Sequence, residues 1–165
     1  MNLAEASRTL AELEALAAQV EADPSAWMAW LPGQHAFLSN PSRTKLFRAG
    51  NQSLGKTTAG LSEVHFRALG AHPFQEVAAP PIEAWILCAS WSQSLAIQGK
   101  FHAIAQAHLV EDTRFCSVNG YHANRPTARY RNGSIVRFKT TQQSGLALAG
   151  ATIDVARFDP PPSSP

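Results

Sequence analysis

"GNQSLGKTT", residues 50–58, decides how the rest of this sequence reads. Gly50 and Gly55 enclose Asn51, Gln52, Ser53 and Leu54, and Lys56, Thr57 and Thr58 follow. This is the complete GxxxxGK[ST] spacing of a phosphate loop. Two glycines let the backbone turn its N–H groups inward around phosphate oxygens. Lys56 would set an ammonium against the β- and γ-phosphates, and the Thr57 hydroxyl would sit on Mg²⁺. The helix that follows would point its positive end at the same group. The competing reading is an accidental Gly-containing turn. Context separates the two, because the motif has meaning only between a strand and a helix.

The neighbouring sequence predicts that context. "TKLFRAG" (44–50) predicts a short strand entering the turn, and residues 55–69 predict a helix with Leu61, Val64, His65 and Ala68 on one face. "EAWILCAS" (83–90) is a continuous apolar run of strand length, the pattern of a strand buried on both faces. Residues 90–109 predict the next helix, capped by Ser90 or Ser92. "ARYRN" (128–132) and "GSIVRFKT" (133–140) predict a hairpin turning at Asn132-Gly133. "ATIDVARFD" (151–159) predicts a third core strand. The order implies an α/β fold with a mostly parallel sheet and helices on its faces.

Upstream, Ala6, Leu10, Leu13, Ala17 and Val20 form one stripe on a helix over 2–22, suited to packing on its own domain or on a partner. "AWMAWL" (26–31) predicts a short second helix ended by Pro32-Gly33. The expected division is an N-terminal helical segment (1–31), a partial nucleotide-binding core (32–159) and a Pro/Ser-rich tail (160–165).

Composition bounds the function. The chain has 165 residues, 45% apolar and 16% charged, which is globular composition. A net charge of +2 does not by itself argue for nucleic acid. Cys88 and Cys116 make no CxxC pair, and the six histidines show no ligand spacing, so neither a zinc site nor a disulfide framework is expected. No run reaches transmembrane length, and the N-terminus lacks a signal peptide's basic start and apolar core. No membrane contact is expected, and the cytoplasm is the expected compartment. The arginines at 125, 129, 131 and 137 suit a solvated hairpin face better than a DNA-phosphate face.

A phosphate loop also needs an acidic residue at the end of a second strand to hold Mg²⁺ through water. Asp159 ends the apolar strand, whereas Asp154 stands early in it, away from the edge where ligands bind. Residue 160 is proline, which can neither act as a base nor orient a water.

Taken in order, four stretches resemble the N-terminal ATPase portion of bacteriophage terminase large subunits, the motors that package viral DNA. "LPGQHAFL" (31–38) is similar to that family's adenine-reading motif, with Gln34 on the adenine edge. "FRAGNQSLGKTTAGLSE" (47–63) is similar to its phosphate loop, "EAWILCASWSQS" (83–94) to its second strand and helix, and residues 132–159 to the segment leading into its acidic strand. The resemblance spans roughly residues 28–159. It implies a P-loop NTPase fold of RecA-like type that binds ATP through Gln34 and residues 50–58, with Lys56 and Asp159 catalytic and Thr57 and Asp159 on Mg²⁺. It also implies duplex DNA, a portal protein and a small terminase subunit as partners, a homo-oligomeric motor, and the host cytoplasm as location.

Two departures qualify these expectations. The family's acidic strand ends Asp-Glu, whereas this one ends Asp159-Pro160, so ATP binding with weak or absent hydrolysis is expected. The later coupling and nuclease elements are also missing, so the expectation is a truncated motor. A non-hydrolysing remnant or a helicase-like P-loop domain are the alternatives. Some members carry an arginine finger inside the loop. Here the nearest candidate is Arg48, which reads equally as a surface residue at a strand end.

Overall fold

Strand β1 (Glu83–Cys88) lies at the middle of the sheet because its sequence offers no polar face. Ala84, Trp85, Ile86, Leu87 and Cys88 are all buried. It is flanked by β3 (Ile135–Thr140) and β4 (Val155–Asp159), both parallel to it, and β2 (Thr127–Arg129) adds antiparallel to β3. The order is therefore β2-β3-β1-β4, an open mixed sheet rather than an all-parallel one. This computed structural model describes residues 3–22, 28–48, 55–111, 113–121, 125–143, 149 and 152–159.

The α-helices among the described residues are α1 (Leu3–Ala22), α2 (Pro32–Ser39), α3 (Lys56–Leu69) and α4 (Trp91–Ala105). Helices α3 and α4 pack on each other and on the same sheet face. There Leu61, Val64 and Ala68 of α3 meet Ile97, Phe101 and Ile104 of α4 over Ala84, Ile86, Cys88, Val136 and Phe138. The expected face of α3 is thus the buried one, with His65 included. The expected helices flank the sheet, with α3 and α4 together on one face. The opposite side carries Glu83, Trp85, Arg137 and Lys139. Arg137 Nε donates to Glu83 Oε1 (2.8 Å), and the Lys139 ammonium stands 5.1 Å from the Trp85 ring centroid. Strand β3 shows the reason in its alternation: Val136, Phe138 and Thr140 are buried, and Ile135, Arg137 and Lys139 only half so.

The helix boundaries follow local chemistry. Ser90 Oγ accepts from Gln93 N (3.2 Å) and caps α4, as its sequence predicts. Gly70 ends α3 in the left-handed region (φ 75°), and Ala71 N donates to Phe66 O (3.1 Å), a Schellman closure. The remaining carbonyls at that end are met from far away: Asn132 Nδ2 donates to Ala68 O (2.9 Å) and Leu69 O (3.1 Å).

Four local expectations are corrected. Residues 28–31 are not helical, and Pro32 begins α2 instead of ending a helix. Proline loses nothing at a first helical position, where its missing N–H would have had no partner. Residues 44–48 form no strand, because Lys45 and Phe47 are drawn into contacts with Glu63 and Phe37. The hairpin turns at Gly133 (φ 89°), but through a longer loop, closed by Tyr130 N on Ser134 O (2.9 Å). On α1, Leu10 and Leu13 are exposed rather than packed on the domain.

Candidate functional site

The carboxyl ends of parallel strands share one edge, here marked by Cys88, Thr140 and Asp159. Helix α3 runs back across the sheet with its first residues toward that edge. Its last carbonyls meet Asn132, just before β3 begins, while Gly60 lies over Arg157, near the end of β4. Gly60 is required there, because a Cβ would collide with Arg157 Nε and crowd Cζ. The axial arithmetic then locates the helix start. Thr57 lies three helical residues before Gly60, a rise of about 4.5 Å. Asp159 lies two strand residues beyond Arg157, about 6.6 Å. By this rise the start of α3, with Lys56 and Thr57, lies toward the same sheet edge as Asp159.

Gly55 opens α3 in the left-handed conformation (φ 60°, ψ 27°). Its carbonyl accepts the helix's first bond from Ala59 N (2.9 Å) and a second from Gln34 Nε2 (3.1 Å). A Cβ at residue 55 would collide with that same Gln34 amide. Gln34 is buried, and its Oε1 accepts from Leu31 N (2.9 Å) at the start of α2. Its carboxamide thus joins the "PGQ" stretch to the end of the phosphate motif across 21 residues of sequence. Gly50, Asn51, Gln52, Ser53 and Leu54 lie outside the described residues, whereas Gly55, Lys56, Thr57 and Thr58 are half-buried at the helix start.

Asp159 is not an open carboxylate. Arg157 Nη2 donates to its Oδ1 (3.0 Å), and Gln93 Nε2 approaches its Oδ2 (3.3 Å). Burial pushes the Arg157 guanidinium below its ordinary pKa, against the opposing pull of the Asp159 charge. Its Nη1 is buried and has no hydrogen-bond partner among the described residues. Cys88, the cross-strand neighbour of Asp159, has its thiol pushed up to about 11 by burial and by that carboxylate. Both oxygens of Asp159 already accept a donor, and a largely buried guanidinium stands beside them. A divalent ion at this carboxylate would stand cation against cation with Arg157.

The other acids serve structure. Asp154 Oδ2 accepts from Glu83 N (2.8 Å) at the opposite sheet edge. Glu63 accepts from Lys45 (2.9 Å) and Arg67 (2.7 Å), pairs with His72 (3.1 Å) and receives a weaker contact from Gln75 (3.4 Å). Burial alone would raise its pKa, but hydrogen bonds from His72, Lys45 and Arg67 outweigh that and bring it down to about 2. Such a carboxylate is a fixed anion, far too weak a base to take a proton from water.

Arg48 is exposed and lines an open cleft with Gly33, Phe37 and Phe47, whose rings stack at 5.3 Å. Arg131 and Arg137 have partners within the chain, Leu109 O and Glu83. Sequence reasoning missed Arg157 and Gln93. Period-2 alternation puts Arg157 on the face of Asp159, and Ser90-x-x-Gln93 has capping-box spacing, so both carried a signal. Among the described residues, no helix is long and apolar enough to cross a membrane. No family model matches the chain, and neither a curated protein nor a solved structure shows significant similarity to it.

Proposed function

We propose that the chain is an ATP-binding P-loop domain of the kind found in the ATPase part of phage terminase large subunits, with little or no hydrolysis of its own. The observation that carries this reading is the start of α3. A left-handed Gly55 precedes Lys56 and Thr57 at the first helical positions, and the close approach of Gly60 to Arg157 turns that helix start toward the sheet edge where β4 ends in Asp159. A helix N-terminus at the carboxyl edge of parallel strands is where α/β proteins hold phosphate. Gln34 supports the reading through its bond to Gly55, and we propose that the remaining N–H of its amide contributes to a preference for adenine. Duplex DNA, a portal protein and a small subunit are the partners this reading proposes for the motor as a whole.

A fluorescent ATP analogue tests the reading. The parent chain is expected to bind it, ATP is expected to compete better than GTP, and Lys56→Ala is expected to abolish binding. Unchanged affinity in Lys56→Ala would sink the assignment. Hydrolysis is expected at background level, because Pro160 replaces a water-activating carboxylate whose loss costs ~10²–10⁴ in rate. Phosphate release at ~1 s⁻¹ or faster, stimulated by duplex DNA and lost in Lys56→Ala, would favour an active motor domain.

A further inference from the structure

At the Asp159 corner, the chain supplies its own cation. We propose that Arg157 takes the electrostatic place of a divalent metal there, so that this chain binds nucleotide phosphates without needing Mg²⁺. The inference rests on the ATP-binding reading.

Three observations carry it. First, the pairing is direct and largely dry. Arg157 Nη2 lies 3.0 Å from Asp159 Oδ1, with side-chain exposures of 11% and 20%. The second carboxylate oxygen accepts from Gln93 Nε2 (3.3 Å), so each oxygen already has a donor within the chain.

Second, the packing is shaped to the guanidinium. Arg157 lies against Gly60 of α3, where an added Cβ would collide with its Nε. An interior helical glycine costs helix stability relative to alanine, so its presence over an arginine marks a fitted seat.

Third, Arg157 has nowhere else to place its charge. Nη1 is already buried without a partner, and Asp159 is its only ion-pair partner among the described residues. A metal that drew Asp159 away would leave a buried guanidinium unpaired beside a second cation, and an unpaired buried charge is strongly unfavourable. With Asp159 neutralised from within, the phosphates arriving at Lys56 and the α3 N-terminus meet no bare carboxylate. The share of a metal's work that lies in offsetting the Asp159 charge against phosphate is then already done by Arg157.

The full 165-residue chain is titrated with the fluorescent ATP analogue in excess Mg²⁺ and in EDTA. Parent affinities are expected to agree within ~3-fold between the two buffers. Arg157→Met keeps the length of the side chain under Gly60 but removes the charge. It is expected to lose ~10-fold or more in EDTA and to regain most of it in Mg²⁺. Asp159→Asn, which keeps the shape of the corner, is expected to bind at least as well as the parent in EDTA. A second readout uses no nucleotide: Mn²⁺ titration followed by electron paramagnetic resonance. The parent is expected to show no Mn²⁺ site that depends on Asp159, and Arg157→Met to gain one that Arg157→Met/Asp159→Asn loses. If Arg157→Met does not fold, Arg157→Lys replaces it and is expected to keep binding in EDTA.

A ≥10-fold loss of parent affinity in EDTA overturns this inference and leaves the ATP reading intact. So does a parent Mn²⁺ site abolished by Asp159→Asn, or an Arg157→Met variant with the parent's metal response. Absence of analogue binding to the parent in both buffers overturns the ATP reading and this inference with it.

Discussion

Among the carboxylates held by cations in the described residues, Glu63 and Asp159 have pairings built for different ends. Glu63 sits in the middle of α3 and gathers Lys45, Arg67, His72 and Gln75 from three separate stretches of chain. Asp159 sits at the end of β4 and is held by Arg157 of its own strand and Gln93 of α4. The first knits the loops around α2 to the helix. The second draws its cation from its own strand and joins β4 only to the start of α4, through Gln93. Many partners from many segments mark a structural hub. A single cation from the same strand marks a charge set locally, at the edge where parallel sheets hold ligands.

The comparison breaks most sharply at Glu63. Glu63→Gln leaves the Lys45 ammonium, 7% exposed, without its counter-charge. A loss of about 3–5 kcal/mol in chemical denaturation is expected, the usual cost of breaking a buried pair from one side. The pH dependence follows with the same sign. Glu63 has a folded-state pKa of about 2 against an ordinary 4.5, so its stabilisation is fully present above pH 4.5 and is lost as pH falls toward 2. Acid unfolding monitored by circular dichroism is expected to lose that component in Glu63→Gln. A variant with the parent's acid profile would remove Glu63 from its role as hub.

Asp159→Asn is expected to cost less, about 1–3 kcal/mol, because only one cation loses its counter-charge there, in a pair somewhat more exposed than that of Glu63 and Lys45. Equal losses at Glu63 and Asp159 would erase the distinction drawn between them. The finest test compares two helical glycines. Gly60→Ala collides with Arg157 and is expected to destabilise by about 1–3 kcal/mol. At Gly99 a Cβ meets only the Phe115 ring edge at 3.7 Å, an ordinary contact, so Gly99→Ala is expected to stabilise by about 0.5–1 kcal/mol. Thermal melts of both variants check the pair, and the same sign for both would refute the fitted seat for Arg157.

What the sequence showed and what it hid divide along the same line. Strand β1, the buried face of α3 and the Ser90 cap were legible because each depends on residues a few positions apart. Leu61, Val64 and Ala68 share a face through helical periodicity alone. The unexpected start of α2 was local too, since Pro32 suits the first position of a helix as well as it suits a break. The absent strand at 44–48 was not legible, because Lys45 answers to Glu63 across 18 residues and Phe47 stacks on Phe37 from another element. At the candidate site, the loop motif and Asp159 stood out by spacing and by strand end. The cation beside Asp159 was hidden by the seat it occupies: only the fold brings Arg157 beneath Gly60, 97 positions earlier in the chain.

The far end of α3 sets a timetable for the molecule's motions. Helix ends ordinarily fray, and their amides exchange with solvent through small local openings. Here the terminal carbonyls of Ala68 and Leu69 are held by Asn132, 64 and 63 residues away in sequence. That grip exists only once the β2–β3 hairpin has formed and docked, so it arrives late and carries the loop-closure cost of a distant contact. Opening the last turn of α3 therefore means releasing the hairpin as well. Amide exchange there becomes slow and cooperative, coupled to the loss of a sheet edge rather than to the breathing of a single turn.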